Sequence, residues 1–337
     1  MKQTLKIAIP MAGLGTRMRP HTWSKPKPLM HLAGKTVLDF VLAQFDTLPN
    51  PENVEYIFIV GPQGDMVKTY MEQNHPGKKT HYVIQQEMRG QSDALYLARE
   101  YLKGPMMMAF SDTLVETDLS FLKDLDADGV AWVKPVKDPR RFGVALVDTS
   151  GCVTRLVEKP EDMKNNLVAV GLYYFRSSEA LIDAIREQFN REIKLKNEFF
   201  LADAINIMLE GKARIETRRV GAWLDAGTPQ SLLETNRYLL ENGQDNSAEV
   251  ARRGLGALII PPVFVHETAS IDACVIGPHV SIGEKCSLSN VIVSNSIIEE
   301  ESQVEQMVLE DSLIGRSVHL QGRAEKINLG DHSWMIM

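Results

Sequence analysis

Aliphatic residues recur at every sixth position near the end of this 337-residue chain. A six-residue aliphatic period is typical of a parallel β-helix, in which each segment forms one face of a triangular coil. The alternative is a β-sandwich with fortuitous spacing, which we disfavour because the period repeats in three registers. The recurring residues are Ile276, Ile282 and Leu288, then after a phase shift Ile292, Ile298 and Val304, and finally Val308, Ile314 and Leu320.

Strands and helices alternate in the first part of the chain. The residue patterns predict strands at 5–10, 54–60, 80–85 and 106–110, separated by helices at 36–48, 63–73 and 91–102. Such alternation predicts an α/β fold, with a Rossmann-like, mixed but mostly parallel sheet and helices on both faces. Ligands bind at the carboxyl ends of the strands in such sheets. Gly13, Gln85 and Asp112 each follow or end a predicted strand, so we expect one site to contain all three.

The length of the chain suggests two domains. After residue 120 the patterns predict further strands at 142–147, 167–175 and 213–220, and helices at 178–188, 198–209 and 229–240. A polar, turn-rich run follows and indicates a linker. We therefore predict a first domain over residues 1–243, a linker over 244–256 and the β-helix over 257–337.

An acid-free stretch with clustered cations opens the chain. No Asp or Glu precedes Asp39, although the whole chain carries a net charge of −7. Gly13 and Gly15 follow an apolar strand and allow backbone N–H groups to approach phosphate oxygens closely. Arg17 and Lys27 come next, and their side chains bind such oxygens. The combination indicates a polyphosphate site, most simply for a triphosphate. A plain tight turn followed by solvated charges is the alternative.

Two familiar phosphate-binding loops are absent from this sequence. A P-loop requires G-x-x-x-x-G-K-[ST], and no such run occurs. A dinucleotide fingerprint requires a third glycine near position 18, which is Met18 here. The acid that should follow, Asp39, lies in a predicted helix rather than at the end of a strand.

Composition excludes several other classes of protein. The net charge of −7 argues against general binding to nucleic acid or membrane surfaces. The sequence contains no run of about 18 apolar residues, the length that a membrane-spanning helix needs. Pro10, Gly13 and Arg17 interrupt the N-terminal apolar run, so it does not resemble a signal peptide. Three cysteines without metal-ligand spacing fit free thiols in a reducing compartment, and we expect a cytoplasmic protein.

Four short motifs occur in an order and spacing known from one enzyme family. They are Gly13-Leu14-Gly15-Thr16-Arg17-Met18-Arg19-Pro20, Pro26-Lys27-Pro28-Leu29, Glu158-Lys159-Pro160 and Trp223-Leu224-Asp225-Ala226-Gly227. Over nearly its whole length the chain resembles the sugar-1-phosphate nucleotidylyltransferases. It is most similar to the glucose-1-phosphate thymidylyltransferases that carry a C-terminal left-handed β-helix. The first motif, followed by Lys27, is highly specific for this family, whereas Glu-Lys-Pro alone would be weak evidence for it.

The resemblance implies a reaction between a nucleoside triphosphate and a sugar 1-phosphate that releases pyrophosphate. The attacking phosphate oxygen is already an anion, so no general base is required. The transferring and leaving groups need cations and a metal instead, and the resemblance implies Mg²⁺. The substrates that the resemblance implies are dTTP or UTP and a sugar 1-phosphate, which we expect to be glucose 1-phosphate. GTP with mannose 1-phosphate is the alternative.

The resemblance also assigns roles to individual residues. Arg17 would bind the leaving pyrophosphate, Lys27 would neutralise the α-phosphate, and Lys159 would hold the sugar phosphate. Asp112 and Asp225 would hold the metal, and these five form the predicted catalytic set. The predicted nucleotide site comprises Ala12, Gly13, Gly15, Thr16, Arg17, Lys27, Gln85 and Gly90, with Gln85 reading the base edge. The predicted sugar-phosphate site comprises Gly143, Glu158, Lys159 and Gly171, with Glu158 accepting hydroxyl hydrogen bonds.

Several of these residues have simpler interpretations. Asp112 could cap a following helix, and Asp225 could be a turn residue. Lys159 could lie in a solvated turn, and Gln85 could be a surface amide. The chain also departs from the family's common residues, which blurs the choice of base and sugar; the departures are Ser111, Gln91, Ser92, Asn197 and Ala226.

Two other functions are compatible with the resemblance. One is a non-catalytic regulatory subunit that binds nucleotide sugars, although such proteins typically lose the charged site residues that are present here. The other adds an acyltransferase in the β-helix, for which His266, His279 and His319 are available but the coil count looks short. We expect instead that the flat faces of the β-helix mediate homo-oligomerisation, in a trimer or a higher assembly.

Overall fold

The structure, a computed structural model, describes residues 4–323 and contains two compact units. The N-terminal unit holds the residues up to Met30 together with Lys35–Ser231. The C-terminal unit holds His31–Gly34 and the residues from Leu232 onward. The last fourteen residues of the predicted β-helix, 324–337, lie outside the described residues. No helix within residues 4–323 is long and apolar enough to cross a membrane.

Within residues 4–323, the structure has thirteen strands and seven α-helices besides the strands of the β-helix. The strands are β1 (Leu5–Met11), β2 (His31–Leu32), β3 (Lys35–Thr36), β4 (Val54–Val60), β5 (Lys79–Ile84), β6 (Met106–Ala109), β7 (Thr113–Val115), β8 (Gly129–Pro135), β9 (Gly143–Val147), β10 (Val153–Glu158), β11 (Leu167–Phe175), β12 (Ile215–Arg219) and β13 (Trp223–Asp225). The helices are α1 (Val37–Ala43), α2 (Gly64–Asn74), α3 (Gln91–Leu97), α4 (Ser178–Asn190), α5 (Leu201–Glu210), α6 (Pro229–Leu239) and α7 (Ser247–Arg252).

Nine strands of the N-terminal unit form one mixed sheet. Its main path is β10-β9-β11-β6-β1-β4-β5, and β8 joins β11 to β12. Strands β1, β4, β5 and β6 are parallel to one another. Strands β8, β9 and β12 share their direction, whereas β10 and β11 run the opposite way. Seven of the nine strands therefore point one way, which confirms the predicted mixed, mostly parallel α/β sheet.

Both faces of this sheet are covered. Ile7, Ala8 and Ile9 follow one another along β1, so their side chains alternate between the two faces, and all three are fully buried. Residues of α3, α4 and α5 share one hydrophobic cluster with Ala8, Ile57 and other strand residues. Continuous burial along a strand is what a parallel sheet with two covered faces requires.

Three helices are shorter than their residue patterns predicted. Helix α1 ends at Ala43 rather than at residue 48, and turns continue the chain. Helix α5 begins at Leu201 rather than at residue 198, because the backbone of Phe199 bonds elsewhere. Its N–H donates to the Arg89 carbonyl at 2.8 Å, and its carbonyl accepts from the Ser92 N–H at 3.1 Å. Helix α3 ends at Leu97, and turn hydrogen bonds continue the chain to residue 102. The two hydrogen bonds of Phe199 tie two loops of the N-terminal unit together.

Residues 258–321 form the predicted parallel β-helix, with three four-stranded sheets. The sheets are β14-β17-β20-β23, β15-β18-β21-β24 and β16-β19-β22-β25, and their strands pair in parallel. Buried aliphatic side chains from successive coils fill the interior. The strands are β14 (Leu258–Ile259), β15 (Val263–Val265), β16 (Ser270–Asp272), β17 (Val275–Ile276), β18 (Val280–Ile282), β19 (Ser287–Ser289), β20 (Ile292–Ser294), β21 (Ile297–Ile298), β22 (Gln303–Glu305), β23 (Val308–Glu310), β24 (Leu313–Ile314) and β25 (His319–Gln321).

The strict six-residue period misplaces two of its residues. Ile292 and Val308 face outward and are 51% and 73% exposed, whereas their neighbours Val293 and Leu309 take the inward positions. The reason lies at the corners of the coil, where residues with positive φ are separated by five residues as well as six. Each five-residue side moves the inward position by one. The corner residues are Ala273, His279, Lys285, Asn290, Asn295, Glu301, Gln306, Asp311 and Ser317.

Candidate active site

A cavity of about 450 Å³ lies where β1 ends and the glycine loop leaves the sheet. The lining of this glycine-loop cavity combines backbone from the loop with one guanidinium, one ammonium and two carboxylates. The structure therefore brings six of the predicted site residues together around one space. They are Gly13, Gly15, Thr16, Arg17, Lys27 and Asp112.

The shape of the glycine loop depends on Gly15. Its φ of +58° lies in the left-handed region, and a Cβ there would stand 3.0 Å from the methyl group of Thr22. The Thr22 hydroxyl donates to the Gly15 carbonyl at 2.9 Å and closes the turn. At Gly13 a Cβ would meet open space, so the absent side chain leaves room beside the backbone. Ala12, also predicted to bind nucleotide, is only 5% exposed.

Two carboxylates meet beside Gly227. Strands β7 and β13 pair antiparallel with Asp225 opposite Thr113, and the Ala226 N–H donates to the Asp112 carbonyl at 2.9 Å. A Cβ on Gly227 would stand 2.8 Å from Oδ1 of Asp225 and 3.4 Å from Oδ2 of Asp112. Because Gly227 has no side chain, both carboxylates face a common space.

The interpretation of Asp112 as a helix cap is wrong, because the strand β7 follows it. Asp225 does form a turn, since its Oδ1 accepts the Gly227 N–H at 2.9 Å. That bond occupies one oxygen of the carboxylate. Lys27 Nζ contacts Oδ2 of Asp112, and the two side chains are 14% and 21% exposed. Lys27, predicted to be catalytic, thus contacts Asp112, which is predicted to bind the metal.

The residues beside Gly227 fit Mg²⁺. This ion prefers oxygen ligands and usually takes one or two protein carboxylates, with phosphate oxygens and water completing its shell. Asp112 and Asp225 offer two carboxylates around the space that a side chain at Gly227 would fill. In the described part of the chain, the group of three His, Cys, Asp or Glu side chains close enough to hold a metal lies elsewhere. It comprises His31, Glu299 and Glu300, with ligand atoms within 4.8 Å of one another.

Three predicted sugar-phosphate residues lie together on β9 and β10. Gly143 pairs with Glu158, and a Cβ on Gly143 would stand 3.0 Å from Glu158 Oε2. Lys159 Nζ lies 3.6 Å from Glu158 Oε1 and 4.5 Å from the centre of the Phe200 ring. Carboxylate and ring both attract the ammonium group. The Lys159 side chain therefore lies over the buried Phe200 ring, but it is itself 43% exposed, as expected for a lysine in a solvated turn.

Phe110 and Glu198 also line the glycine-loop cavity, although the sequence motifs did not select them. The fourth predicted sugar-site residue, Gly171, lies against Phe110. Its φ is +84°, and a Cβ added there would stand 2.1 Å from the Phe110 ring, so only glycine fits. Glu198 follows Lys196 and Asn197, both with positive φ. The departure at Asn197 was the one signal in the sequence that pointed to this segment.

Burial raises the pKa of the Glu158 carboxyl above its ordinary value of 4.5, and the neighbouring Lys159 ammonium offsets only part of this effect. The folded protein therefore holds this proton to a higher pH than the unfolded chain does. Folding stability from this group is greatest below pH 4.5 and falls as the pH rises through the raised pKa. At neutral pH the ionised carboxylate costs stability.

Glu158→Gln is therefore expected to raise Tm at pH 7 by about 1–3 °C, because glutamine removes the buried charge and keeps the shape. The gain should shrink as the pH falls through the raised pKa of Glu158, and it should be absent below pH 4.5. The same variant should raise KM for the sugar phosphate. Calorimetry across pH and steady-state kinetics measure both effects. Glu161→Gln, an exposed neighbour, is the control, and a Glu158→Gln protein less stable at pH 7 would contradict the expectation.

Gln85 and Gly90 lie together at the end of β5. The interpretation of Gln85 as a surface amide is wrong, because the residue is 4% exposed. Its Nε2 donates to the Gly90 carbonyl at 3.3 Å. Gly90 has φ +102°, and a Cβ there would stand 2.5 Å from the Phe199 carbonyl oxygen. The structure joins these two residues to each other, and neither lines the glycine-loop cavity.

Two family models and a solved structure are similar to this chain. A family model described as nucleotidyl transferase matches residues 8–242, and one described as the GMPPB C-terminal domain matches residues 259–328. A Bacillus anthracis protein, described as a glucose-1-phosphate thymidylyltransferase and solved with sucrose, superposes with a TM-score of 0.59 at 22% identity. The match covers 69% of this chain and 94% of that one, and it shows the shared fold.

Three curated relatives illustrate the range of similar proteins. The bifunctional protein GlmU of Methanocaldococcus jannaschii is 33% identical over 68% of this chain, but the match spans only 53% of that relative. The nucleotidyltransferase Agl11 of Haloferax volcanii, named for low-salt glycan biosynthesis, is 29% identical over 94% of both chains. A glucose-1-phosphate thymidylyltransferase of Streptomyces antibioticus is 28% identical over 98% of both. The chain belongs to the nucleotidyl transferase family.

Proposed function

We propose that this protein transfers a nucleotidyl group from dTTP or UTP to a sugar 1-phosphate, first of all glucose 1-phosphate, and releases pyrophosphate. The observation that carries the proposal is the single cavity shared by the glycine loop, Arg17, Lys27 and Asp112. The thymidylyltransferase of Streptomyces antibioticus, matched over 98% of both chains, supports the choice of substrates.

Three cations have separate tasks in the proposed reaction. Arg17 holds the leaving pyrophosphate, because its planar fork suits two phosphate oxygens. Lys27 neutralises charge on the α-phosphate while one P–O bond forms and the other breaks. Lys159 holds the sugar phosphate so that its oxygen attacks the α-phosphorus in line. The bonding electrons of the broken bond leave with the pyrophosphate oxygen, and no proton has to move.

Asp112 and Asp225 would hold Mg²⁺ beside Gly227. When bound, the ion neutralises phosphate charge that would otherwise repel the second anion. Glu158 accepts hydrogen bonds from sugar hydroxyl groups, and Gly143 and Gly171 leave room for the ring. Gln85 and Gly90 meet the base.

The test is a pyrophosphate-release assay with dTTP, UTP, GTP, CTP and ATP against the 1-phosphates of glucose, mannose and glucosamine. We expect the highest kcat/KM for dTTP or UTP with glucose 1-phosphate. A clear maximum for GTP with mannose 1-phosphate would replace the proposed substrates by the guanylyltransferase alternative. Turnover with no pair, while nucleotide sugars still bind, would identify a regulatory subunit instead.

We also propose that the protein works in the cytoplasm as a homo-oligomer joined through its β-helix. All three cysteines are free, which supports a reducing compartment. The outward row of the sheet β14-β17-β20-β23 is aliphatic in every coil, whereas the corresponding row of β16-β19-β22-β25 is polar. A stacked aliphatic row on the surface marks an interaction face, and a second copy would bury both rows together. The aliphatic row comprises Leu258, Val275, Ile292 and Val308.

Replacing Ile292 and Val308 together by glutamate is expected to dissociate the oligomer. Both side chains are more than half exposed, so charge there should leave the coil folded. Light scattering after size exclusion measures the mass, and Gln303→Glu on the polar face is the matched control. The proposed interface would be refuted if the wild-type protein is monomeric. It would also be refuted if the double variant keeps the mass of the wild-type oligomer.

A further inference from the structure

The amide of Gln85 has its donors occupied inside the protein. The residue follows β5, and its backbone N–H donates to the Val60 carbonyl at 2.9 Å. Its side-chain Nε2 donates to Oδ2 of Asp93 at 2.9 Å and to the Gly90 carbonyl at 3.3 Å. A glutamine amide nitrogen carries two hydrogens. Only the oxygen, Oε1, is therefore left to meet a ligand.

Asp93 makes this orientation of Gln85 the stable one. Rotating the amide by half a turn would place Oε1 against the Asp93 carboxylate and the Gly90 carbonyl, which are all acceptors. Gln85 and Asp93 are 4% and 8% exposed, so water cannot readily compensate for the lost bonds. An alanine or an amide at position 93 would not impose the same direction on the Gln85 side chain.

Asp93 is itself held in place. It lies in the first turn of α3, where the helix N-terminus favours a negative charge. Its second oxygen, Oδ1, lies 3.8 Å from Nε of Arg89. The chain on either side is tied down by the two backbone hydrogen bonds that Phe199 makes with Arg89 and Ser92. The carboxylate is thus a fixed acceptor next to the Gln85 amide.

We propose that Asp93 is a specificity-determining positioning residue, which turns Gln85 so that it presents an acceptor to the base. This inference rests on the proposed function only in taking Gln85 as the residue that meets the base. The preferred base must then offer a ring N–H at the contact. Uracil and thymine offer N3–H and guanine offers N1–H, whereas the corresponding nitrogens of cytosine and adenine carry lone pairs.

The inference predicts selectivity within pairs of bases of equal size. Wild-type protein should bind UTP at least about tenfold more tightly than CTP, or GTP at least about tenfold more tightly than ATP, as expected for one well-placed base contact. Asp93→Asn keeps the shape of the side chain but can turn its own amide either way. Both orientations of Gln85 then become accessible, and the selectivity should fall by about tenfold.

Calorimetric titration with UTP, CTP, GTP and ATP, without sugar phosphate, tests this in wild type, Asp93→Asn, Gln85→Ala and the double variant. Asp93→Asn should change the ratio of dissociation constants in wild type and leave it unchanged in the Gln85→Ala background. Asp183→Asn, on the exposed side of α4, is the matched control. Selective binding without turnover would refute the proposed function and leave the role of Asp93 intact.

Three results would overturn the inference. One is a wild-type protein that binds UTP and CTP equally and also binds GTP and ATP equally. This result does not depend on the folding of any variant. Another is an Asp93→Asn protein that weakens all four triphosphates by the same factor, since a merely structural role would do that. The third is an equal effect of Asp93→Asn with and without Gln85, because coupled residues must be non-additive.

Discussion

Replacing Lys27 by alanine is expected to lower kcat for pyrophosphate release by about 10²–10³-fold. The Lys27 ammonium lines the glycine-loop cavity and contacts Oδ2 of Asp112. In the proposed reaction, charge develops on the α-phosphate beside this ammonium group. Its loss removes transition-state stabilisation that water cannot replace. Because the glycine loop and Arg17 remain, the KM for the triphosphate should change much less than kcat.

Two further variants sharpen the interpretation of Lys27. Lys27→Arg keeps the charge but replaces a compact ammonium by a planar fork, so it should recover only part of the rate. Lys68→Ala removes a lysine from the exposed side of α2, where its side chain is 55% exposed, and should leave kcat unchanged. A Lys27→Ala enzyme with a near-normal rate would rule out the proposed role at the α-phosphate.

Asp225→Asn is expected to raise the Mg²⁺ concentration needed for half-maximal activity by at least about tenfold and to lower kcat/KM. The carboxylate faces the same space as that of Asp112. If both bind the ion as proposed, losing one of two negative ligands weakens a hard cation site. Asparagine keeps an oxygen that can accept the Gly227 N–H, so the turn after β13 should remain. Magnesium titrations at saturating substrates provide the measurement.

Asp126→Asn is the matched control for this prediction. Asp126 is 95% exposed and pairs with Arg214 on the surface, so its charge should not affect the metal dependence. Circular dichroism checks that Asp225→Asn is folded. An unchanged magnesium titration in a folded Asp225→Asn enzyme would exclude Asp225 as a ligand.

Local residue patterns were sufficient to predict most elements of the N-terminal unit. The predicted strands at 5–10 and 54–60 appear as Leu5–Met11 and Val54–Val60, because an apolar run bounded by turn residues is a local property. Helix α5 was predicted three residues too early. The competing backbone bonds of Phe199 come from a loop about 110 positions away in the chain, and no local pattern reports them.

In the β-helix, too, the sequence pattern predicted the elements but not every inward-facing residue. The aliphatic period predicted three parallel sheets correctly, yet the inward residues are Val293 and Leu309 rather than Ile292 and Val308. Adjacent aliphatic residues satisfy a period equally well. The choice between them depends on the number of residues at each corner, which the folded coil decides.

By itself, the sequence determined the strand–helix alternation, the glycine loop with its cations and the coiled C-terminal unit, since each depends on residues close together in the chain. Only the tertiary structure decided that Asp112 and Asp225 meet beside Gly227, and that Asp93 directs the buried amide of Gln85. Such contacts join residues from separate elements, or depend on which way a buried side chain turns. They arise from strand pairing and from the need to satisfy buried donors and acceptors, which a linear pattern does not specify.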